Sequence, residues 1–200
     1  MRIFVALDID EGIRQRIRRF MEGVREFAPD ARWVQPESLH VTLKFIGEKP
    51  EAKVAEIKQA LANVGGTAFD FTIRGHGFFP TPKSARVFWI GIEAGKELNE
   101  LAKEVDEATA TAAVPREDHA FSPHLTLARG GGRSGAPGWR KGDALNKNFA
   151  VLQEKLGALP VPEFGTMTAR EFVLFESRLL RGGARYTRIA KFPLRGAANS

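Results

Sequence analysis

Cysteine is absent from this 200-residue chain. That excludes a disulfide framework, a thiol nucleophile and a thiolate metal site, and it favours a reducing, cytoplasmic setting. Long hydrophobic runs are absent as well. The apolar stretch Ile3-Phe4-Val5-Ala6-Leu7 is closed by Asp8 and Asp10, too short for a signal-peptide core or a membrane span. It reads as a buried strand, and no membrane partner is expected. The run Gly130-Gly131-Gly132-Arg133 is followed by no Gly-Lys-Ser/Thr, which excludes a phosphate-binding P-loop. Asp118 and His119 lie close to His124 in sequence, but Pro123 interrupts the segment and the i, i+4 helical spacing of zinc motifs is missing. No metal and no cofactor is expected.

What remains is an ordinary globular composition, 43% hydrophobic and 27% charged, in a chain long enough for one domain or two small lobes sharing a core. We expect one bilobal domain over residues 1–200, with no obligatory protein partner and a monomeric state. The net charge of +6 draws in anionic partners such as phosphates or nucleic acid.

Periodicity gives the organisation. Val5 to Ile9 reads as a strand, and Ile13, Ile17, Phe20, Met21, Val24 and Phe27 then fall at helical spacing, predicting a helix of about five turns. Trp33-Val34 is extended, and Leu39 to Ile46 alternates as a strand. Pro50 opens a second helix through Val54, Ile57, Leu61 and Val64. The order then repeats: a strand at Val87 to Ile92, a helix through Leu98, Leu101, Val105 and Ala108, and a strand at His124 to Ala128. Phe4 and Phe88 are 84 positions apart, and so are His40 and His124, which points to an internal duplication with approximate twofold symmetry. A helix from about Ala144 to Leu156 follows a glycine-rich basic insert, Gly130 to Gly142, which contains Trp139. Strands at Phe69 to Arg74, Phe164 to Thr168, Glu171 to Glu176 and Tyr186 to Phe192 complete an α+β assembly of mixed strands, hairpins and helices. His76, between two glycines, reads as a loop residue. Arg14, Arg16, Arg18 and Arg19 read as a solvated helix face. Arg178, Arg181, Arg185 and Arg188 flank the last hairpin, where they would attract phosphate.

Each half carries the same pattern on its strand, His40-Val41-Thr42-Leu43 and His124-Leu125-Thr126-Leu127. Residues i and i+2 of a strand share a face, so an imidazole and a hydroxyl are presented side by side twice, while Val41, Leu43 and Phe45 face a core. If the lobes pack with these faces inward, both pairs meet in one cleft. A neutral imidazole there takes a proton from an attacking water and an imidazolium returns one to a leaving oxygen, while Thr42 and Thr126 donate hydrogen bonds to phosphoryl oxygens. By the same parity Lys44 adds a positive charge. Arg129, suited to gripping phosphate, has parity opposite to His124, which leaves its direction open.

The stretches Arg32 to Gly47 (RWVQPESLHVTLKFIG), Phe121 to Arg129 (FSPHLTLAR) and Phe172 to Leu179 (FVLFESRL), with Gly182-Gly183 and Tyr186, resemble the two-histidine phosphoesterase superfamily, and within it the RNA 2′,3′-cyclic phosphodiesterases, historically called 2′-5′ RNA ligases. The resemblance implies a bilobal fold of two facing, mainly antiparallel sheets with the active site in the central cleft. It also implies metal-independent hydrolysis of RNA 2′,3′-cyclic phosphate ends, or of cyclic nucleotides, to 2′-phosphomonoesters. By resemblance His40 is the proton donor and His124 the acceptor, Thr42 and Thr126 are the family threonines, and Phe45, Arg129 and Tyr186 hold base or phosphate. The alternatives are ligation by the reverse chemistry and a non-catalytic module that binds RNA ends.

Overall fold

The structure, a computed structural model, describes residues 1–130, 149–181 and 183–196. Nearly all of the glycine-rich insert, Trp139 included, lies outside the described residues, as do the start of the helix expected from Ala144, and Gly182. Four helices, α1 (Glu11–Val24), α2 (Glu51–Leu61), α3 (Lys96–Thr111) and α4 (Ala150–Gly157), accompany nine strands among the described residues. Strands β3 (Val41–Glu48), β1 (Arg2–Leu7), β8 (Glu171–Leu180) and β9 (Gly183–Pro193) form one antiparallel sheet in that order. Strands β2 (Arg32–Trp33), β6 (His124–Arg129), β5 (Val87–Ala94), β4 (Phe69–Phe79) and β7 (Glu163–Ala169) form the other.

The two sheets repeat one arrangement: β3-β1-β8-β9 corresponds to β6-β5-β4-β7. The register carries the correspondence down to single residues. Ala6 pairs Thr42 and Val173, as Trp89 pairs Thr126 and Gly77; Phe4 pairs Phe45 and Phe175, as Val87 pairs Arg129 and Phe79. The offset is therefore 84 for the histidine strands but 83 for their neighbours. Phe4 corresponds to Val87 and not to Phe88, and because side chains alternate across a strand, that slip matters. Phe88 is fully buried against the helices, with Phe20 of α1 and Phe149 nearby, whereas Phe4 packs on the opposite, cleft side of its sheet, with Phe175 and Tyr186.

Each half lends its helix to the other half's sheet. Helix α1 follows β1 but packs on the second sheet: Phe20 meets Phe164, and Arg16 donates to the Phe164 carbonyl at 2.8 Å. Helix α3 follows β5 but docks beside β3 and α2. The apolar stripes explain this. Ile13, Ile17, Met21 and Val24 bury one face of α1, and Leu98, Leu101, Ala102 and Val105 bury one face of α3, so each helix must cover a sheet. Helix α1 spans 14 residues and continues as a short 3-10 turn at Arg25–Phe27, which places Phe27 where the longer predicted helix would end. Strand β2 crosses over to pair with β6, and the Val34 amide donates to Leu127 at 2.8 Å. His76 lies within β4 and not in a loop, at a break in the β4–β5 register, with its ring near Phe78 and Phe88.

The first sheet curls on itself. Its last strand comes round to the 3-10 turn Pro36–Ser38 that leads into β3, where Ser38 Oγ donates to the Ala184 carbonyl at 3.5 Å. That closure carries Tyr186 to His40.

Candidate active site

His40 stands at the head of β3 and His124 is the first residue of β6. Cα atoms of the two strands approach within 8 Å, and the imidazoles lie near enough for the charge of one to bear on the other. Their anchoring is identical. His40 Nδ1 faces the Ser38 carbonyl at 2.7 Å, and His124 Nδ1 faces the Ser122 carbonyl at 2.8 Å. A carbonyl oxygen only accepts, so each Nδ1 carries the hydrogen, and Nε2 becomes the atom that takes or gives a proton. The extended backbone and the Ser-x-His spacing in both halves set this geometry; the repeated serine was a signal in the sequence that went unread. Thr42 and Thr126 are half-buried on the same strands, paired across to Ala6 and Trp89.

After each threonine the strand bulges. Thr42 pairs Ala6 and Lys44 pairs Val5, leaving Leu43 as an extra residue; Thr126 pairs Trp89 and Ala128 pairs Phe88, leaving Leu127 extra. A bulge inserts one residue and reverses the alternation beyond it. Leu43 and Lys44 are accordingly both buried, as are Leu127 and Ala128. The expectation that Lys44 shares the His40 face is corrected. Its side chain is only 2% exposed, and its ammonium meets Asp106 of α3 at 2.5 Å, the Pro115 carbonyl at 2.6 Å and Glu117 at 3.5 Å. The expectation that Phe45 points into a core is corrected by the same bulge. Phe45 is 49% exposed, stacks on Phe4 at 6.1 Å, and has Arg2 over its ring at 5.2 Å. Arg129 is the counterpart of Phe45. It is exposed and lies near enough to His124 and Tyr186 to influence the titration of both.

Aromatic rings surround the histidines. Around His40 stand Phe4 at 4.7 Å, Tyr186 at 5.1 Å, edge-on, and Phe175 at 6.3 Å. Around His124 stand Phe79, edge-on at 5.0 Å, and Trp89 at 6.4 Å. Gly77 makes room for that indole: a Cβ there would fall 2.1 Å from the Trp89 ring, a cross-strand glycine covered by an aromatic. Sequence reasoning missed Phe4, Phe79, Trp89 and Phe175 as neighbours of the histidines, because each also suits a core strand.

The surroundings depress both histidines. Burial is the chief cause and holds each below the ordinary value of 6.5. For His40 the Ser38 carbonyl and the Asp8 carboxylate act the other way, while Arg14 and His124 add to the depression; for His124 the Ser122 carbonyl opposes and Arg129 adds. Burial pushes the Tyr186 phenol up from 10.0, against the pull of Arg129 and Arg2. Asp8 and Arg14 also escaped the sequence reading. Arg14 does not lie on a solvated face: it is 6% exposed, and its guanidinium donates to Asp8 at 2.8 Å and to the carbonyls of Pro36, Ile9 and Leu39 at 2.7, 3.1 and 3.4 Å. Asp118 and His119 belong to no group of three metal-binding side chains among the described residues, and no helix there is long and apolar enough to cross a membrane.

The family described as LigT like Phosphoesterase matches the chain in two consecutive segments, residues 7–89 and 90–186. An RNA 2′,3′-cyclic phosphodiesterase of Methanothermobacter thermautotrophicus is 33% identical over 197 residues, covering 97% of this chain and 99% of the relative. One from Archaeoglobus fulgidus is 33% identical, covering 96% and 99%. Among solved structures, E. coli LigT complexed with 3′-AMP superposes with a TM-score of 0.75 at 25% identity, over 97% of this chain and 98% of that one. The Thermus thermophilus protein TT0787 does so with a TM-score of 0.74 at 30% identity, over 99% and 100%.

Proposed function

The chain belongs to the LigT-like phosphoesterase family, and from that premise we propose that it hydrolyses 2′,3′-cyclic phosphates at RNA ends to 2′-phosphomonoesters, using His40 and His124 and no metal. The observation that carries this reading is the matched anchoring of the two rings through Nδ1, which leaves two Nε2 atoms of opposite potential role. A water oxygen attacks phosphorus and gives its proton to Nε2 of neutral His124. The bond from phosphorus to O3′ breaks, and protonated His40 delivers the proton from its Nε2 to O3′. The phosphate remains on O2′. Two imidazoles thus cover both proton transfers, and the pair is regenerated when a proton passes back through solvent.

Thr42 and Thr126 donate to the non-bridging oxygens, whose charge grows in the transition state. Arg129 adds a guanidinium beside His124, where it grips phosphate. Phe45 and Tyr186 supply faces for the terminal base, as aromatics do for unstacked RNA bases. The relatives named as RNA 2′,3′-cyclic phosphodiesterases support the substrate class.

The test is turnover of a short RNA with a 2′,3′-cyclic end, in EDTA, by the parent and by His40→Ala and His124→Ala. The expected result is a 2′-phosphate product, indifference to EDTA, and a loss of about a hundredfold or more in each variant. Binding without turnover in the parent would instead support an RNA-end-binding module, and loss of turnover in EDTA would support a metal enzyme.

A further inference from the structure

The twofold repeat gives the two histidines nearly the same anchoring, yet the reaction needs them to differ. The difference lies in what surrounds each one. Asp8 follows β1 directly, and since Leu7 pairs Val41 it stands at the register position across from His40, where its charge bears on the ring. Its counterpart in the second half, by the 83-residue offset, is Gly91, which has no side chain and lies against the Arg74 carbonyl. The counterpart of Phe45 is Arg129, so a cation bears on the second histidine from the strand position that an aromatic ring fills in the first half.

Asp8 is held from two sides. Its Oδ1 accepts from Arg14 and from the Ile9 amide at 2.9 Å, and its Oδ2 accepts from Arg188 of β9. Arg14 also grips the Pro36 and Leu39 carbonyls, which bracket the turn whose Ser38 carbonyl orients His40. One network therefore fixes both the position of the ring and the charge beside it. We propose that Asp8, clamped by Arg14 and Arg188, is the positioning residue that makes the pseudo-symmetric histidines unequal, favouring the proton on His40 over His124.

The charged groups acting on His40 are Asp8, just after β1, Arg14 of α1 and His124 of β6; Tyr186 of β9 stands edge-on to its ring, and Arg188 of β9 acts through Asp8. Of these, only Asp8 is an anion at neutral pH. Arg188 and Arg14 moderate its field. Burial would raise the Asp8 carboxyl, but hydrogen bonds from Arg188 and the Ile9 amide, with the charges of Arg188 and Arg14, hold it below the ordinary value of 3.8.

This inference rests on the proposed two-histidine reaction, but its readout does not require turnover. The experiment is an NMR titration of isotope-labelled histidines in the full-length protein, for the parent, Asp8→Asn and Arg188→Gln. It is paired with kcat and KM against pH on a 2′,3′-cyclic nucleotide. Removing the carboxylate should move the His40 titration to lower pH, and removing the exposed Arg188 should move it to higher pH by unmasking Asp8. His124 should stay in place in both.

In Asp8→Asn the alkaline limb of kcat should follow His40, lowering kcat at pH 8 on the order of tenfold with KM within about twofold. A His40 titration that stays put in both variants, shifts in the same direction in both, or is matched by His124 would overturn the assignment. So would a rise in KM with kcat unchanged. Should Asp8→Asn fail to fold, the direction of the Arg188→Gln shift decides alone. Shifts of the expected direction in both variants, with no turnover by the parent, would sink the proposed activity and leave the electrostatic assignment standing.

Discussion

Replacing Lys44 by methionine separates a cleft cation from a structural one. The side chain is 2% exposed, and its ammonium is bound by the Asp106 carboxylate at 2.5 Å and the Pro115 carbonyl at 2.6 Å. Removing one partner of a buried ion pair costs about 3–5 kcal/mol, because the other charge is left desolvated. Asp106 is 19% exposed and keeps the Glu117 amide at 3.1 Å, so it recovers some hydration, and the low end applies. The orphaned carbonyl adds about 1 kcal/mol, while methionine retains the packing of the lysine stem. A loss of about 3–4 kcal/mol is expected, which moves the urea midpoint down by about 1.5–2 M at a slope near 2 kcal/mol/M. The double variant Lys44→Met/Asp106→Leu should regain most of that, since an apolar pair of similar volume replaces a buried ion pair at little cost. Acid supplies a second check. Burial alone would raise the Asp106 carboxyl, but hydrogen bonds from Lys44 and the Glu117 amide, with the charges of Lys44 and Arg116, bring it below 3.8. Its stabilisation is therefore complete above the unfolded value and is lost as pH falls through the folded one, so the loss of stability below about pH 4 should be steeper in the parent than in the double variant. A Lys44→Met protein within about 1 kcal/mol of the parent but with a strongly raised KM would refute the reasoning and return Lys44 to the cleft.

Two further outcomes follow from the cleft walls. Gly77→Ala should displace the Trp89 indole, costing about 1–3 kcal/mol of stability by overpacking and disturbing the ring beside His124; thermal unfolding and tryptophan fluorescence read both, and an unchanged protein would mean the indole lies elsewhere. Arg129→Gln should raise KM about tenfold through loss of a charge-assisted phosphate contact and move the His124 titration to higher pH, because a cation that depresses it is gone. Steady-state kinetics against pH with NMR of His124 checks this, and an unmoved His124 would place the guanidinium outside the site.

Most of the element order was legible because periodicity is a local property. The helices at Ile13 to Val24 and Leu98 to Val105 present unbroken apolar stripes, and the two His-x-Thr strands announce themselves by repetition. Which sheet a helix covers was not legible. Nothing local in α1 distinguishes packing on its own half from packing on the other, and only the closed core, with Phe20 against Phe164 and Phe88, settles it. Arg14 misled for a related reason. On a helix with four arginines it looks like its solvated neighbours, and only the return of the chain at Pro36 to Leu39 turns it into a clamp.

The misplacing of Lys44 and Phe45 has a single cause. Parity counted outward from the histidines assumes regular strands, and the bulges at Leu43 and Leu127 reverse the count just where Lys44 and Phe45 stand, and where parity leaves the direction of Arg129 open. In the second copy the sequence does betray the bulge, because Leu127-Ala128 sets two apolar residues in succession where alternation calls for one. In the first copy Lys44 hides it: a lysine at the second position looks like the polar face resuming, although it is the buried position filled by a charge that α3 neutralises with Asp106. Aligning the halves residue by residue resolves the ambiguity without coordinates. Lys44 corresponds to Ala128, a residue with no reason to face an anionic substrate, while Phe45 corresponds to Arg129, and a ring and a guanidinium are the two groups that belong at the rim of a nucleotide cleft. The duplication thus acts as an internal control on strand parity, in that a polar residue whose counterpart is small and apolar is better assigned to the buried face.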